Sequence, residues 1–366
     1  MSTSTLPAAP STAQSVWLVA EREIGSKLRS KAFVISTAIL ILGALALVIW
    51  GGFTAGNSSA TPVAVTSNAS QYVDGVEGLE VTDVSDRAQA EDLVASGDVD
   101  AAVVGDSSSP LGFIIVADSN PPTDLMLTLA QVPPVELLNP DETNPLLRYF
   151  VALGFGIVFL LAASLFGGTI AQSVVEEKQT RVVELLISAV PTRALLAGKV
   201  IGNTVLAVGQ ILVLAAVAVV GLTVTDQTAL LQGLGAPIAW FAVFFLFGFI
   251  LLAALFAAAA AMVSRQEDIG STTTPLTMLI MAPYFLVIFF NDNSLVLTIM
   301  SYVPFSAPVG MPMRLFLGEA QWWEPLVSLA ILAATCVGAI LVGAKIYENS
   351  LLRMGARVKL REALAA

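Results

Sequence analysis

Residues 240–263 read WFAVFFLFGFILLAALFAAAAAMV, with no charged group at any position. A helix of that length exceeds the roughly 30 Å hydrocarbon layer of a bilayer. One charge at its centre would cost about 2.5–3.5 kcal/mol on insertion scales, so the stretch reads as the heart of a transmembrane helix. Comparable runs recur, and six spans are expected at 32–52, 147–171, 199–222, 237–263, 274–291 and 325–344. Pro275 and Pro283 interrupt the fifth, which fits a helix sheltered in a bundle or a broken, re-entrant segment.

Composition agrees with the local reading. Of 366 residues, 56% are hydrophobic and 12% charged, and mean hydropathy is +0.82; soluble domains carry about 25% charge. Histidine is absent and cysteine occurs once, at Cys336, which removes disulfide frameworks, histidine-based zinc sites and histidine general bases.

Orientation follows from lysine and arginine. With six spans, 14 of the 17 basic residues fall on one side: four before the first span, four between the second and third, Arg265 between the fourth and fifth, and five after the sixth. The positive-inside rule makes that side cytoplasmic and puts both termini there. Residues 53–145 then lie outside, holding 15 of the 28 acidic residues and one basic residue, Arg87. Strand-length patterns at 62–66, 79–84, 101–104 and 113–116, with helical spacing over 87–96 and Gly97 as its stop, predict a small α/β domain there. The expected fold class is an α-helical polytopic membrane protein with six transmembrane helices and a small α/β extracytoplasmic domain between the first two. Residues 1–13 read as a disordered tail and 345–366 as a cytoplasmic tail.

Residues 14–31 place Trp17, Ala20, Ile24 and Leu28 on one helical face, which suits an interfacial helix or a plain positive-inside anchor. The loop region 172–198 contains EEKQTRVVELLISAVP from Glu176 to Pro191. Its spacing allows Glu177 to pair with Arg181 and sets Val182, Leu185 and Leu186 on an apolar edge, with Glu184 beside them and Pro191 as a terminator. A short amphipathic helix of this kind offers knobs and charges to a soluble partner; it also fits a surface loop with ordinary salt bridges.

The chain carries no Walker A sequence: Gly198-Lys199-Val200 lacks the following hydroxyl residue, and Arg193 stands where the first glycine belongs. Glu176-Glu177-x-x-x-Arg181 resembles the motif of glutamic intramembrane proteases, but those enzymes need histidines. No catalytic, cofactor-binding or metal-ligating residue is expected. Polar groups at membrane depth are mild. Asn203, Gln210, Thr273 and Thr274 are candidates for a pathway or gate, although such groups also serve to join helices. Residues 302–316, with Pro304, Pro308 and Arg314, read as a re-entrant segment or an interfacial loop beside Trp322 and Trp323.

Together these features resemble the permease subunit of ABC-2 type exporters, in the branch with the bacterial NatB-like sodium-export permeases. The resemblance rests on Glu21-Arg22-Glu23, Arg29 to Phe33, the 176–191 loop followed by Leu195 to Lys199, and the 304–314 segment. It implies that Glu176, Glu177, Arg181, Glu184, Leu185, Leu186 and Pro191 couple to a separate cytoplasmic ABC ATPase, on which ATP and Mg²⁺ are bound. It also implies a second permease chain, a bacterial plasma-membrane location with lipid around the spans, and no nucleic-acid partner. A membrane-anchored receptor, with residues 53–145 binding a ligand, is the alternative.

Overall fold

The computed structural model describes residues 11–56, 61–76, 78–118, 122, 125–126, 129, 145–180, 182–225, 227–351, 353 and 358–365. The chain divides into two compact units, residues 50–140 and the remainder.

The smaller unit is built on strands β1 (Thr61–Thr66), β2 (Leu79–Val84), β3 (Ala101–Gly105) and β4 (Phe113–Val116), in sheet order β2-β1-β3-β4. β1 is parallel to both neighbours, and β4 runs antiparallel to β3. Alternation in PVAVT sends Val63 and Val65 to one face and Ala64 to the other, each in its own apolar cluster. The second face is covered by the helix Arg87–Ser96, N-capped by Asp86. Gly97, at φ 80°, ends that helix in the left-handed region that a side chain resists.

The larger unit is helical. An amphipathic helix α1 (Thr12–Arg29) meets α2 (Lys31–Gly56) at a bend of 72°. Taking Arg87–Ser96 as α3, the later helices are α4 (Pro145–Gln179), α5 (Val182–Ala189), α6 (Thr192–Val224), α7 (Thr228–Ala261) and α8 (Ile269–Phe289). After them come α9 (Ser294–Tyr302), α10 (Ala307–Phe316), α11 (Glu324–Leu351) and α12 (Leu360–Ala365). Five helices among the described residues are long and apolar enough to cross a membrane, and the bent α1/α2 pair makes a sixth if it is one span.

α4 outruns the apolar stretch 147–171 by a further two turns, because VVEEKQ propagates a helix as readily as the leucines before it. Pro275 and Pro283 lie inside α8, which stays continuous across both. At the centre stands α7, whose aromatic rings meet those of α4 in successive layers. Phe155 lies 5.0 Å from Phe241, Phe159 5.5 Å from Phe245, and Phe166 5.7 Å from Phe249. In lipid such packing, rather than exclusion of water, holds helices together.

Candidate functional site

α4 ends in Glu176-Glu177-Lys178-Gln179. Neighbouring side chains on a helix diverge by about 100°, and Glu177 and Lys178 use that divergence to reach different helices. Lys178 is fully buried and donates to the carbonyls of Ala261 at 2.8 Å and Ser350 at 2.9 Å. These lie at the C-terminal ends of α7 and α11, where free carbonyls and the negative end of the helix dipole favour a cation.

Glu177 turns the other way. One carboxylate oxygen pairs with Arg22 of α1, and the other lies 3.0 Å from the Lys199 ammonium of α6, a Coulombic contact outside hydrogen-bond geometry. Lys199 Nζ donates to Glu23 Oε1 at 2.9 Å and to Ser173 Oγ at 2.7 Å, while Arg22 Nη2 stands 3.2 Å from the same Glu23 oxygen. Two carboxylates and two cations from three helices thus neutralise one another. The side chains of Lys199 and Glu23 are only 1% and 6% exposed. Burial alone would raise the Glu23 carboxyl, but the Lys199 ammonium, with Arg22, holds it below the usual carboxylate range.

The approach of α1 to α6 is close because Gly198 and Gly202 face it. A methyl group on Gly198 would strike Val19, and one on Gly202 would come within 2.9 Å of the Ala20 carbonyl. This is the small-xxx-small contact by which helices meet at backbone distance. Ser15, Val19, Ala20 and Glu23 form the docked face of α1. Of the apolar stripe seen in the sequence, Ala20 is docked and Ile24 half-buried, whereas Trp17 is 59% and Leu28 56% exposed.

The segment that follows does not form one helix from 176 to 190. Glu176 and Glu177 belong to the last turn of α4, and α5 is a separate short helix. Arg181 lies outside the described residues. Val183, rather than Val182 or Leu185, is the buried anchor of α5, and Leu186 packs partly on the core. Val182, Glu184 and Leu185 are exposed, Leu185 at 74%. Pro191 sits at the N-terminal boundary of α6.

The pathway candidates lie on or beside three helices, α6, α8 and α10, with no hydrogen bond joining one group to another among the described residues. Asn203 donates to the Lys199 carbonyl, one turn from the ion cluster. Gln210 is buried with neither amide atom hydrogen-bonded among the described residues. The Thr273 hydroxyl is held by its own helix at Ile269, and Thr274 is exposed. Pro304 is half-buried in the turn before α10, and Pro308 packs on Gly248 of α7. Arg314 is buried, 2.7 Å from Glu324 and bonded to Ser301 Oγ and the Glu319 carbonyl.

Sequence reasoning missed the parts played by Glu23, Lys178 and Lys199. The available signal was a lysine directly after Gly198 in a Gly198-x-x-x-Gly202 run, with an acid on the small-residue face of α1. No cluster of three or more potential metal ligands occurs among the described residues.

Comparison with known proteins places these features in context. The chain is 25% identical over 219 residues to the uncharacterized protein YhaP of Bacillus subtilis (strain 168), covering 56% of this chain and 52% of that one. It is 25% identical over 215 residues to the uncharacterized protein MJ1024 of Methanocaldococcus jannaschii, covering 58% and 52%. The matched region thus spans about half the length of these relatives. No solved structure matches. The sequence pattern of the ABC-2 family transporter proteins matches residues 31–345, which takes in all six spans expected from the sequence, and the chain belongs to that family.

Proposed function

We propose that this chain is the membrane-spanning permease subunit of an ABC-2 exporter, moving an ion or a small or amphipathic solute outward with ATP hydrolysed on a separate subunit. On this reading it falls in the branch with the NatB-like efflux permeases, which the 176–191 segment favours. We take α2 to supply the first of six spans, with α1 lying at the cytoplasmic membrane surface, both termini cytoplasmic and residues 53–145 outside. The distribution of basic residues supports that topology. A second permease chain completes the path in a bacterial plasma membrane.

One observation carries the reading. α5, with Val182, Glu184 and Leu185 open to a partner, is joined directly to the end of α4, where Glu177 grips α1 and α6 and Lys178 grips α7 and α11. A displacement of α5 by an ATPase therefore acts on four helices at once, which is what shifting a bundle between two states requires. α5 is the coupling helix in this scheme, and ATP and Mg²⁺ stay on the partner.

The test is purification of the tagged chain in mild detergent, with its co-purifying proteins identified and vanadate-sensitive ATPase activity assayed. An ATPase subunit should accompany the wild type and be lost from Leu185→Asp, whose side chain is exposed and whose change leaves the core intact. A chain that purifies alone, under conditions that preserve a known exporter complex, would overturn the reading in favour of a receptor.

A further inference from the structure

The elbow between α1 and α2 gathers three basic residues that form no ion pair among the described residues. Lys27 and Arg29 close α1, Lys31 opens α2, and the first turn of α2 carries no acidic residue. A helix N-terminus is itself equivalent to roughly half a positive charge, so Lys31 sits where a cation is least welcome. None of the three side chains makes an ion pair among the described residues, in contrast to Arg22, which has two. Arg29 and Lys31 are exposed and Lys27 is half-buried, within the field of Glu23, Lys199 and Glu176.

The same segment presents an apolar surface away from the protein. Trp17, Ile24 and Leu28 share one face of α1, opposite the face docked on α6, and Trp17 and Leu28 are more than half exposed. Val34 and Ile35 continue the exposed apolar surface past the elbow onto α2. Apolar side chains beside unpaired cations, at a 72° turn from an amphipathic helix into an apolar one, complement an acyl chain and an anionic headgroup at the bilayer surface.

We propose that this elbow is a binding site for an anionic phospholipid, whose phosphate is held by Lys27, Arg29 and Lys31 while its acyl chains lie against Trp17, Ile24 and Leu28. The site is independent of which solute is transported and of whether an ATPase docks on α5. Topology alone requires basic residues near a span but not this juxtaposition with an outward apolar face. An occupied site balances the charge of Lys27, one turn from Glu23, and so braces α1 on α6.

The experiment uses the full chain in nanodiscs of equal phosphatidylglycerol and phosphatidylcholine, transferred to mild detergent, with retained lipids counted by native mass spectrometry. A basic residue beside an anionic surface contributes about fivefold to partitioning. The triple variant Lys27→Gln, Arg29→Gln, Lys31→Gln should therefore lose at least about tenfold of the preference for phosphatidylglycerol. The charge-preserving variant Lys27→Arg, Arg29→Lys, Lys31→Arg should keep it. A glutamine variant that retains the wild-type preference overturns the site, as does equal loss in the charge-preserving variant. Excess inorganic phosphate should leave the lipid in place; release of the lipid would assign the pocket to the free ion instead.

Discussion

Two buried ionic centres among the described residues are assembled in opposite ways. At the end of α4, Arg22, Glu23, Glu177 and Lys199 come together from helices up to 177 positions apart in sequence, so the cluster exists only when α1, α4 and α6 are all in place. Around α10, Arg314 is held by Ser301, the Glu319 carbonyl and Glu324, all within 13 positions of it. The first centre ties distant helices into one mechanical unit, and the second closes a local hairpin that packs its Pro308 against Gly248. Burial of charge is costly in both. Only the first lets that cost report the relative position of the helices next to α5.

The sharpest way to break the contrast is Lys199→Met. It leaves Glu23, only 6% exposed, sharing Arg22 with Glu177 and without its buried ammonium, and losing one partner of a buried pair costs about 3–5 kcal/mol. Thermal melting of the purified variant in detergent should show this as the largest loss of any single change discussed. Adding Glu23→Gln should restore a large part of it. If the double variant melts no higher than Lys199→Met, charge pairing is not what joins α1 to α6. Arg314→Met should cost less, about 2–3 kcal/mol, because Glu324 stays 13% exposed and can recruit water. Its signature should be faster proteolytic cleavage around 316–324, with the proposed ATPase interaction of α5 unchanged. Loss of that interaction would erase the distinction between a distributed and a local centre.

Packing at the α1/α6 contact separates geometry from charge. Gly202→Ala keeps every ionic group but pushes the Ala20 carbonyl away, and overpacking of this kind typically costs about 1–3 kcal/mol. The same melting assay should place it below Lys199→Met. The acid limb provides a further check. The folded Glu23 carboxyl titrates below its ordinary value of 4.5, so its stabilising contribution is complete above that value and disappears as pH falls through the lowered one. Melting temperature should therefore decline on acidification, and more steeply in the wild type than in Glu23→Gln.

The parts legible in the sequence were those written in local pattern. Uncharged runs marked the five long apolar helices, and the alternation in PVAVT with Gly97 as a stop marked a strand and the end of α3. The ion cluster escaped because its logic is non-local. Glu177 has a potential partner four residues on, and nothing in the sequence says that Arg22 and Lys199 also reach it. α1 misled for a related reason. The bulky members of its stripe, Trp17 and Leu28, are left outside, whereas the docked face is made of Ser15, Val19, Ala20 and one acid, Glu23, which a search for large apolar groups passes over.

The smallest predicted effect isolates what burial contributes. Arg193 in the first turn of α6 pairs with Glu348 near the end of α11, at 2.7 Å, closer than the 2.9 Å between Lys199 and Glu23. Both pairs start from the same stretch of α6 and cross to another helix. They differ in surroundings, since the Arg193 side chain is 77% exposed and that of Lys199 is 1% exposed. Water solvates each member of the outer pair whether or not they meet, and holding two long side chains together costs rotamer freedom, so Arg193→Ala should lower the melting temperature only slightly, if at all. Raising the salt concentration should remove even that, while leaving the Lys199→Met deficit in place. If Arg193→Ala proves as damaging as Lys199→Met, then proximity rather than desolvation sets the strength of these contacts, and the cluster at the end of α4 loses its claim to a special mechanical role.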